Sequence, residues 1–457
     1  MTTVTYPSIQ INLGGGDFVN FVRDQIVDAS IVEEINLVSV ELSVNALEFT
    51  VNNSVESFNM FNGEIYTKLK EHLEIEVYEY IDNTSVYIGL FYLKTWKNLS
   101  DTQIKFTAVD IVGILADTDF EGIFWDTPVT LTEAMGDVFN PISVEFEIDS
   151  SIASRTISGW IAPSTYRDAL QQICFAGRAV SLTARTNKLS LQPINLPIAY
   201  RDYVITTSEA KQNEIEVNQI TSRIEIISHN YSESGVLETI FDKYLEAGSH
   251  KIVFDKPYYG IVIDGAGYVP AALGTEDGNF LGTEDNNYFE AGGDFTLGSN
   301  SVYINITEGA QITITGYAWL DSKRSFTFNE TGTETVKNKR NLLIQDATLV
   351  NSDRAQDVLD GLRDFYRLRY LQDVTFLPSE IKVTDIVLSD AFNSQRIIGS
   401  ITKSELNLTG GFLSNSKIFG ILPNYVLPSE TPKRVARVGI AQTGIGLTRN
   451  NAWRQYD

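Results

Sequence analysis

The sequence predicts a multidomain α+β protein that is mostly β. The chain has 457 residues, which is too many for one ordinary hydrophobic core, and 43% of them are hydrophobic. Apolar and polar residues alternate along many short segments, as they do in strands with one buried face. Helical spacing of apolar residues occurs in three segments, which begin near Thr130, Thr165 and Ser352.

Strand patterns fill the first 115 residues. Gly14, Gly15 and Gly16 predict a turn, because no Gly-Lys-Ser/Thr follows to make a phosphate-binding loop. Alternation predicts strands at residues 38–44, 47–51, 73–77, 86–90 and 104–108. A turn at residues 82–84 joins the third strand to the fourth. We expect the sheet to be curled or closed, since that protects its edges.

A capped helix followed by a hairpin is the central feature of the chain. Thr165 is the predicted N-cap, with Asp168 in the capping-box position. The apolar face of the helix is formed by Ala169, Leu170, Ile173 and Ala176. Gly177 is expected to end the helix in the left-handed conformation. Strands at residues 180–182 and 189–191 then form a hairpin around a turn at residues 185–188.

A shorter helix precedes this unit, with a capping box made by Thr130 and Glu133. Trp125 and Trp160 are expected to pack in the core of the same region, and sugar stacking is the alternative for them. Cys174, the only cysteine, lies on the central helix. One cysteine excludes an intrachain disulfide and a multi-cysteine zinc site.

The β pattern resumes at Tyr203, and a second β unit interrupts it. Residues 236–325 are predicted to be an inserted β-domain. Within it, residues 264–300 are Gly-rich and acidic, with LGTED at residues 273–277 and again at 281–285. The spacing of an EF-hand is absent, so we interpret this segment as an exposed acidic loop rather than a calcium site.

The longest helix is predicted to begin at Ser352, which would act as its N-cap. Arg363, Arg367 and Arg369 lie near its end, where cations complement the helix dipole. Two strands follow, at residues 381–388 and 397–408, the second ending before Gly410 and Gly411.

The last segment, residues 423–457, loses periodicity and is locally basic. Its cations are Lys433, Arg434, Arg437, Arg449 and Arg454. On a chain of net charge −24, a basic tail would lie on an acidic surface of a neighbouring subunit, so these five residues are candidate partner contacts. A disordered tail is the alternative.

Taken in order, several of these segments resemble parts of the central hub proteins of phage tails and baseplates. The family includes hubs of contractile-tail phages, tailocins and type VI-like spikes. The matching segments are Trp160-Ile161, the Pro-Ser-Thr cap at 163–165, residues 166–172, 61–63, 108–110, 351–370, 399–403 and 408–412.

The resemblance implies a domain plan with two tube-like β-barrel or sandwich domains. The first spans residues 1–116, and the second spans 206–235 together with 326–422. An α+β domain at 117–205 and the inserted β-domain at 236–325 complete the plan, before the tail at 423–457.

The resemblance also implies a structural function. Three chains would form a pseudo-sixfold ring that joins the hexameric tail tube to a spike or tail tip and lines the DNA conduit. Implied partners are the tail tube protein, the spike or tip protein, and a baseplate wedge or tape-measure protein. The expected location is the virion tail or baseplate, after assembly in the bacterial host cytoplasm.

The net charge of −24 argues against a protein that grips nucleic acid, because phosphate binding needs basic surface. Combined with the hub resemblance, it suggests an acidic lumen through which DNA slides without sticking. No run of apolar residues approaches the length of a membrane helix and no signal peptide is visible, so membrane insertion is not expected.

Catalytic patterns are absent from the sequence. His72, His229 and His250 are the only histidines, none lies in a metalloprotease or hydrolase motif, and His72 and His229 are expected at the surface. We therefore expect a non-enzyme without cofactor or metal. The alternatives are a tail-tip receptor-binding or distal tail protein, which would bind cell-wall carbohydrate through exposed aromatics such as Tyr258, Tyr259 and Tyr288, and a tail-associated peptidoglycan hydrolase.

Overall fold

The computed structural model describes residues 5–52, 63–81, 84–196, 202–206, 210–265, 300–332, 339–377, 381–392, 395–409, 412–422 and 433–434. Of the described residues, 59% lie in strands and 15% in helices, so the prediction of a mostly β chain is confirmed. The predicted acidic loop lies almost wholly outside the described residues, as do Gly410 and Gly411.

The N-terminal strands form one half of a 14-stranded sheet. They are β1 (Thr5–Gly14), β2 (Asp17–Val22), β3 (Ile26–Glu34), β4 (Ala46–Asn52), β5 (Glu74–Ile81), β6 (Thr84–Ser100) and β7 (Gln103–Val109). Gly14 at the end of β1 and the two glycines after it have positive φ and close the β1–β2 hairpin, as predicted. The order of these seven strands in the sheet is β3-β4-β7-β6-β5-β1-β2.

The middle of the chain packs three helices against small sheets. Its elements are α1 (Ile111–Leu115), β8 (Asp119–Phe120), β9 (Ile123–Thr130), α2 (Leu131–Phe139), β10 (Phe146–Ile148), β11 (Thr156–Ile161), β12 (Ser164–Thr165), α3 (Tyr166–Gly177), β13 (Ala179–Leu182) and β14 (Leu189–Pro193). Both predicted capping boxes are present, Thr130 with Glu133 on α2 and Thr165 with Asp168 on α3. The hairpin after α3 also forms as predicted.

A long antiparallel ribbon carries the predicted insertion. β15 (Tyr203–Ile205) and β16 (Lys211–Val217) come first and belong to the large sheet. The strands that follow are β17 (Ile220–Leu245), β18 (Gly248–Val253), β19 (Tyr258–Asp264), β20 (Ser301–Ile306), β21 (Ala310–Asn329) and β22 (Lys339–Ile344). The ribbon sheet has the order β19-β21-β17-β22, and β18 pairs with β20. β17 pairs with β21 from Arg223–Asn329 to Leu245–Ala310. β17 therefore continues past residue 236 and β21 past residue 325, the two predicted limits of the insertion.

The C-terminal elements complete the large sheet. They are α4 (Ser352–Tyr366), β23 (Tyr370–Phe376), β24 (Ile386–Asp390), β25 (Arg396–Asn407), β26 (Leu413–Ile421) and β27 (Lys433–Arg434). The sheet continues from β3 as β25-β26-β23-β16. The predicted strand at residues 381–388 begins only at Ile386, because a turn occupies the residues before it.

The strand predicted at residues 38–44 is wrong, because its backbone is held by side chains of α3. Gln171 donates to the carbonyl oxygens of Ser39 and Val40, and Arg167 donates to that of Leu42. These bonds keep residues 35–45 in a loop across the helix. The alternating apolar residues are used differently, with Val38 and Leu42 buried in the α+β core.

Two helix ends also differ from prediction. Asn351 is the N-cap of α4 and accepts hydrogen bonds from the backbone of Asp353 and Arg354, whereas Ser352 is the first helical residue. Arg178, with φ of 51°, is the left-handed residue after α3, so Gly177 still belongs to the helix. Gly177 is needed for another reason: a Cβ there would lie 2.7 Å from Leu131 Cδ2.

Truncation of a large side chain in the hydrophobic core of the N-terminal strands should destabilise the protein strongly. Phe106 is fully buried and its ring stacks on Phe49 at 4.8 Å, so Phe106→Ala is expected to lower the free energy of unfolding by about 3–5 kcal/mol. Phe392, which is 50% exposed, is the matched control, and Phe392→Ala should change stability by less than about 0.5 kcal/mol. Urea unfolding of both variants measures the difference.

Candidate assembly interface

The two halves of the large sheet meet where β25 pairs with β3. The register runs antiparallel from Lys403–Glu34 to Asn407–Ser30. Leu406, Leu408 and Phe412, from the C-terminal half, are buried in the same cluster as the strands of the N-terminal half. One chain thus contains two β units that are joined edge to edge.

A buried ion pair lies at this junction. Arg185 Nε is 3.0 Å from Glu33 Oε1, and the two side chains are 13% and 2% exposed. The guanidinium also lies over the ring of Phe412, 5.9 Å from its centroid. Burial raises the pKa of Glu33, while Arg185 and Lys382 oppose that rise. The hairpin after α3 therefore reaches both halves of the sheet through one side chain.

Asp110 joins the hairpin after α3 to the end of the loop that follows β3. It caps α1 through the backbone N–H of Gly113, and its other oxygen accepts hydrogen bonds from Asn45 N at 3.1 Å and Thr183 Oγ1 at 2.6 Å. Asn45 Oδ1 in turn accepts a hydrogen bond from the N–H of Glu34. Burial raises the pKa of Asp110 to about 6, and the three hydrogen bonds limit that rise.

The sheet path ends at β2 on one side and at β16 on the other. Among the described strands, β2 pairs only with β1, and β16 pairs only with β23. Each edge carries an exposed large apolar side chain, Phe18 at 62% and Val217 at 56%. Edge strands with unpaired backbone groups favour pairing with another chain.

The predicted contact residues of the tail are described only in part. Lys433 and Arg434 form β27, whose backbone pairs in parallel with Tyr203 and Val204 of β15 in the same chain. Arg437, Arg449 and Arg454 lie outside the described residues. Docking of the tail on a neighbouring subunit stays a prediction.

Three surface assignments are resolved by the structure. His229 is not at the surface: it lies within β17, is 3% exposed, and its ring nitrogens contact Asp321 Oδ2 and the carbonyl of Gln345 at 2.8 Å. His72 is exposed, as expected. Tyr258 is buried rather than exposed, because it packs with the core of the insertion, and Tyr288 lies outside the described residues.

The two tryptophans of the middle region occupy different environments. Trp125 is buried in the α+β core and donates to Asp137, whereas Trp160 is half-buried and donates to Asn300. Within the described ranges, no cluster of three metal-ligating side chains occurs. No described helix has both the length and the apolar character needed to cross a bilayer.

The sequence gives no signal for Glu33, Arg185 or Asp110 as junction residues. Glu33 is followed by another glutamate, and Arg185 lies in an ordinary turn. Glu33 is buried where β3 pairs with β25. Asp110 lies at the end of a predicted strand, but its partners Asn45 and Thr183 are distant in sequence.

The fold resembles that of phage tail proteins. The tail protein from Neisseria meningitidis MC58 superposes with a TM-score of 0.51 at 9% identity, over 91% of this chain and 96% of that one. The 43 kDa tail protein of prophage MuSo2 from Shewanella oneidensis has a TM-score of 0.48 at 9% identity, over 91% and 97%.

The prophage tail protein gp18 from Listeria monocytogenes EGD-e has a TM-score of 0.45 at 10% identity, over 90% of this chain and 94% of that one. No protein-family model matches the chain, and no curated protein sequence matches it. The resemblance to tail proteins that the sequence indicates is therefore confirmed at the level of the fold.

Removal of one partner of the buried pair should be costly. Arg185→Met leaves the carboxyl of Glu33 buried without its cation, and we expect a loss of about 3–5 kcal/mol in unfolding free energy. The double variant Arg185→Met with Glu33→Gln should recover much of it. Lys68→Met, which removes the exposed pair with Asp17, should change little. Equal losses of stability in Arg185→Met and Lys68→Met would contradict the assignment of Arg185 and Glu33 as a buried ion pair.

Asp110 should make stability depend on pH. Its pKa in the folded protein is about 6, above the ordinary value of 3.8, so it binds its proton more tightly when folded. The wild type should therefore lose up to about 3 kcal/mol of stability relative to Asp110→Asn as the pH rises from about 4 to about 6. Urea unfolding of both proteins across this range measures the difference, and the exposed Asp101→Asn serves as control. A difference in unfolding free energy between the wild type and Asp110→Asn that does not change with pH would refute the raised pKa of Asp110.

Proposed function

We propose that the protein is the structural hub of a phage-like tail or baseplate. In this proposal three chains form a pseudo-sixfold ring between the hexameric tail tube and the spike or tail tip. The observation that carries it is the pair of β units joined edge to edge by β3 and β25. Two β units in each chain would let three chains present six positions to a hexameric tube.

The free edges support closure of such a ring. Pairing β2 of one subunit with β16 of the next would repeat, between chains, the kind of edge contact that β3 and β25 make within one chain. A head-to-tail contact of this kind closes into a three-membered ring when it relates neighbours by a pure rotation of 120°, and it propagates into a filament when the rotation does not close. Phe18 and Val217 would become buried in the new contact.

The ring would act as a conduit and an adaptor rather than as a catalyst. The fold shared with a tail protein and the net charge of −24 support an acidic lumen that does not retain DNA. Partners in this proposal are the tail tube protein, the spike or tip protein, and wedge or tape-measure proteins. Its place is the tail of the particle, after assembly in the host cytoplasm.

Light scattering of the purified protein at two concentrations tests the proposal. We expect a species of three times the chain mass of 51.0 kDa, alone or on addition of the tail tube protein. Phe18→Asp and Val217→Asp should each lower the mass, because each places a charge at a contact edge. Phe392→Asp is the matched control, since Phe392 is also exposed, at 50%, but lies outside both edge strands.

Two results would overturn the proposed ring. One is a strict monomer both alone and with the tube protein. The other is a trimer whose mass is unchanged by both edge substitutions.

A further inference from the structure

A row of aromatic side chains crosses the middle of the long ribbon that β17 and β21 form. Tyr317 stacks on Tyr259 with ring centroids 5.3 Å apart and an interplanar angle of 26°. Trp319 follows at 5.1 Å from Tyr259, and Phe124 of β9 lies 4.9 Å from Trp319. All four rings are half-buried, and none belongs to the hydrophobic clusters of the described residues. The row therefore lies at the surface rather than in a core.

The cross-strand register places the row on one face of the sheet formed by β19, β21 and β17. Tyr259 and Leu237 are both paired with Tyr317, and residues directly opposite each other share a face. Leu237 is 55% exposed, which shows that this face is turned outward. Tyr317 and Trp319 are two residues apart on β21, so their attachment points are separated by roughly 7 Å.

The backbone at Gly260 packs closely against the Tyr317 ring. Gly260 has φ of +57°, and a Cβ there would lie 3.1 Å from the Tyr317 ring. The β-bulge between Tyr259 and Val262 thus gives the ring the space that a side chain would fill. A preorganised surface loses less conformational freedom when a ligand binds.

Polar groups border the aromatic row on the same face. The hydroxyls of Tyr259 and Tyr317 and the indole N–H of Trp319 make no hydrogen bond with another described residue. The flanking positions in register are Glu233, Thr315, Thr239, Thr313, Asp242 and Asp264. Asp242 already accepts hydrogen bonds from Gln311 and Thr313. Apolar ring surface and polar groups therefore lie side by side.

We propose that this face is a binding site for a neutral, hydroxyl-rich glycan. The apolar face of a sugar ring would stack on Trp319 and Tyr317, and its hydroxyls would bond to the tyrosine hydroxyls and neighbouring carboxylates. The carboxylates of Glu233, Asp242 and Asp264 repel polyanions, which excludes anionic glycans and nucleic acid as ligands. The inference is independent of ring formation, because it concerns the insertion and not the sheet edges.

Calorimetric titration of the full chain with a neutral hexasaccharide of β-1,4-linked N-acetylglucosamine tests this site. We expect measurable binding that weakens about fivefold to tenfold in Trp319→Leu and in Tyr317→Leu, which keep apolar volume but remove the ring. Tyr244→Leu is the matched control, because Tyr244 is an exposed tyrosine on the same ribbon outside the row. It should bind like the wild type. Circular dichroism checks that each variant is folded.

Three outcomes would overturn the proposal. The first is no binding of the hexasaccharide by the wild type. The second is an affinity for the hexasaccharide in Trp319→Leu and Tyr317→Leu that equals that of the wild type. The third is preferential binding of a polyanionic glycan such as heparin. Loss of tube-protein binding in Trp319→Leu, without sugar binding in the wild type, would assign the face to a protein contact. The mass measurement above is unaffected by any of these results, so the two proposals fail separately.

Discussion

The pairing of β3 with β25 is the constraint on which the rest of the structure depends. It buries Glu33 and so requires Arg185, which reaches the junction from the hairpin that follows α3. It also brings Leu406 and Phe412 into the core of the N-terminal strands. A charge pair of this kind contributes little net stability, but it penalises any arrangement that separates its members. The junction therefore fixes how the two halves of the sheet meet.

The helices act mainly as supports for that junction. Side chains of α3 hold the loop of residues 35–45, and Asn45 at its end bonds to Asp110 and Thr183. This loop precedes β4 and follows β3, so its position determines where β3 leaves the sheet. The hydrogen bonds between helix and loop thus transmit the geometry of the α+β region to the contact between the β units.

Local patterns predicted much of the fold, and tertiary contacts explain most of the errors. Capping boxes at Thr130 and Thr165, the glycine turn and the alternating strands depend on neighbouring residues, so the sequence reveals them. The loop at residues 35–45 has a strand pattern but is held by Gln171, about 130 residues away. His229 looks like a surface residue, yet it is buried, and its ring contacts Asp321 of β21 and the carbonyl of Gln345. The junction residues could not be predicted, and of the aromatic row only Tyr259 was a candidate, because each set combines segments far apart in sequence.

The contribution of Leu406, Leu408 and Phe412 to the first core has a consequence for synthesis on the ribosome. The N-terminal strands emerge early, but their hydrophobic cluster is incomplete until residue 412 has left the exit tunnel. During translation at about 5–20 residues per second, this leaves an interval of tens of seconds. The β3 edge is then unpaired and open to chaperones. A nascent chain therefore cannot complete this core before residue 412 has emerged.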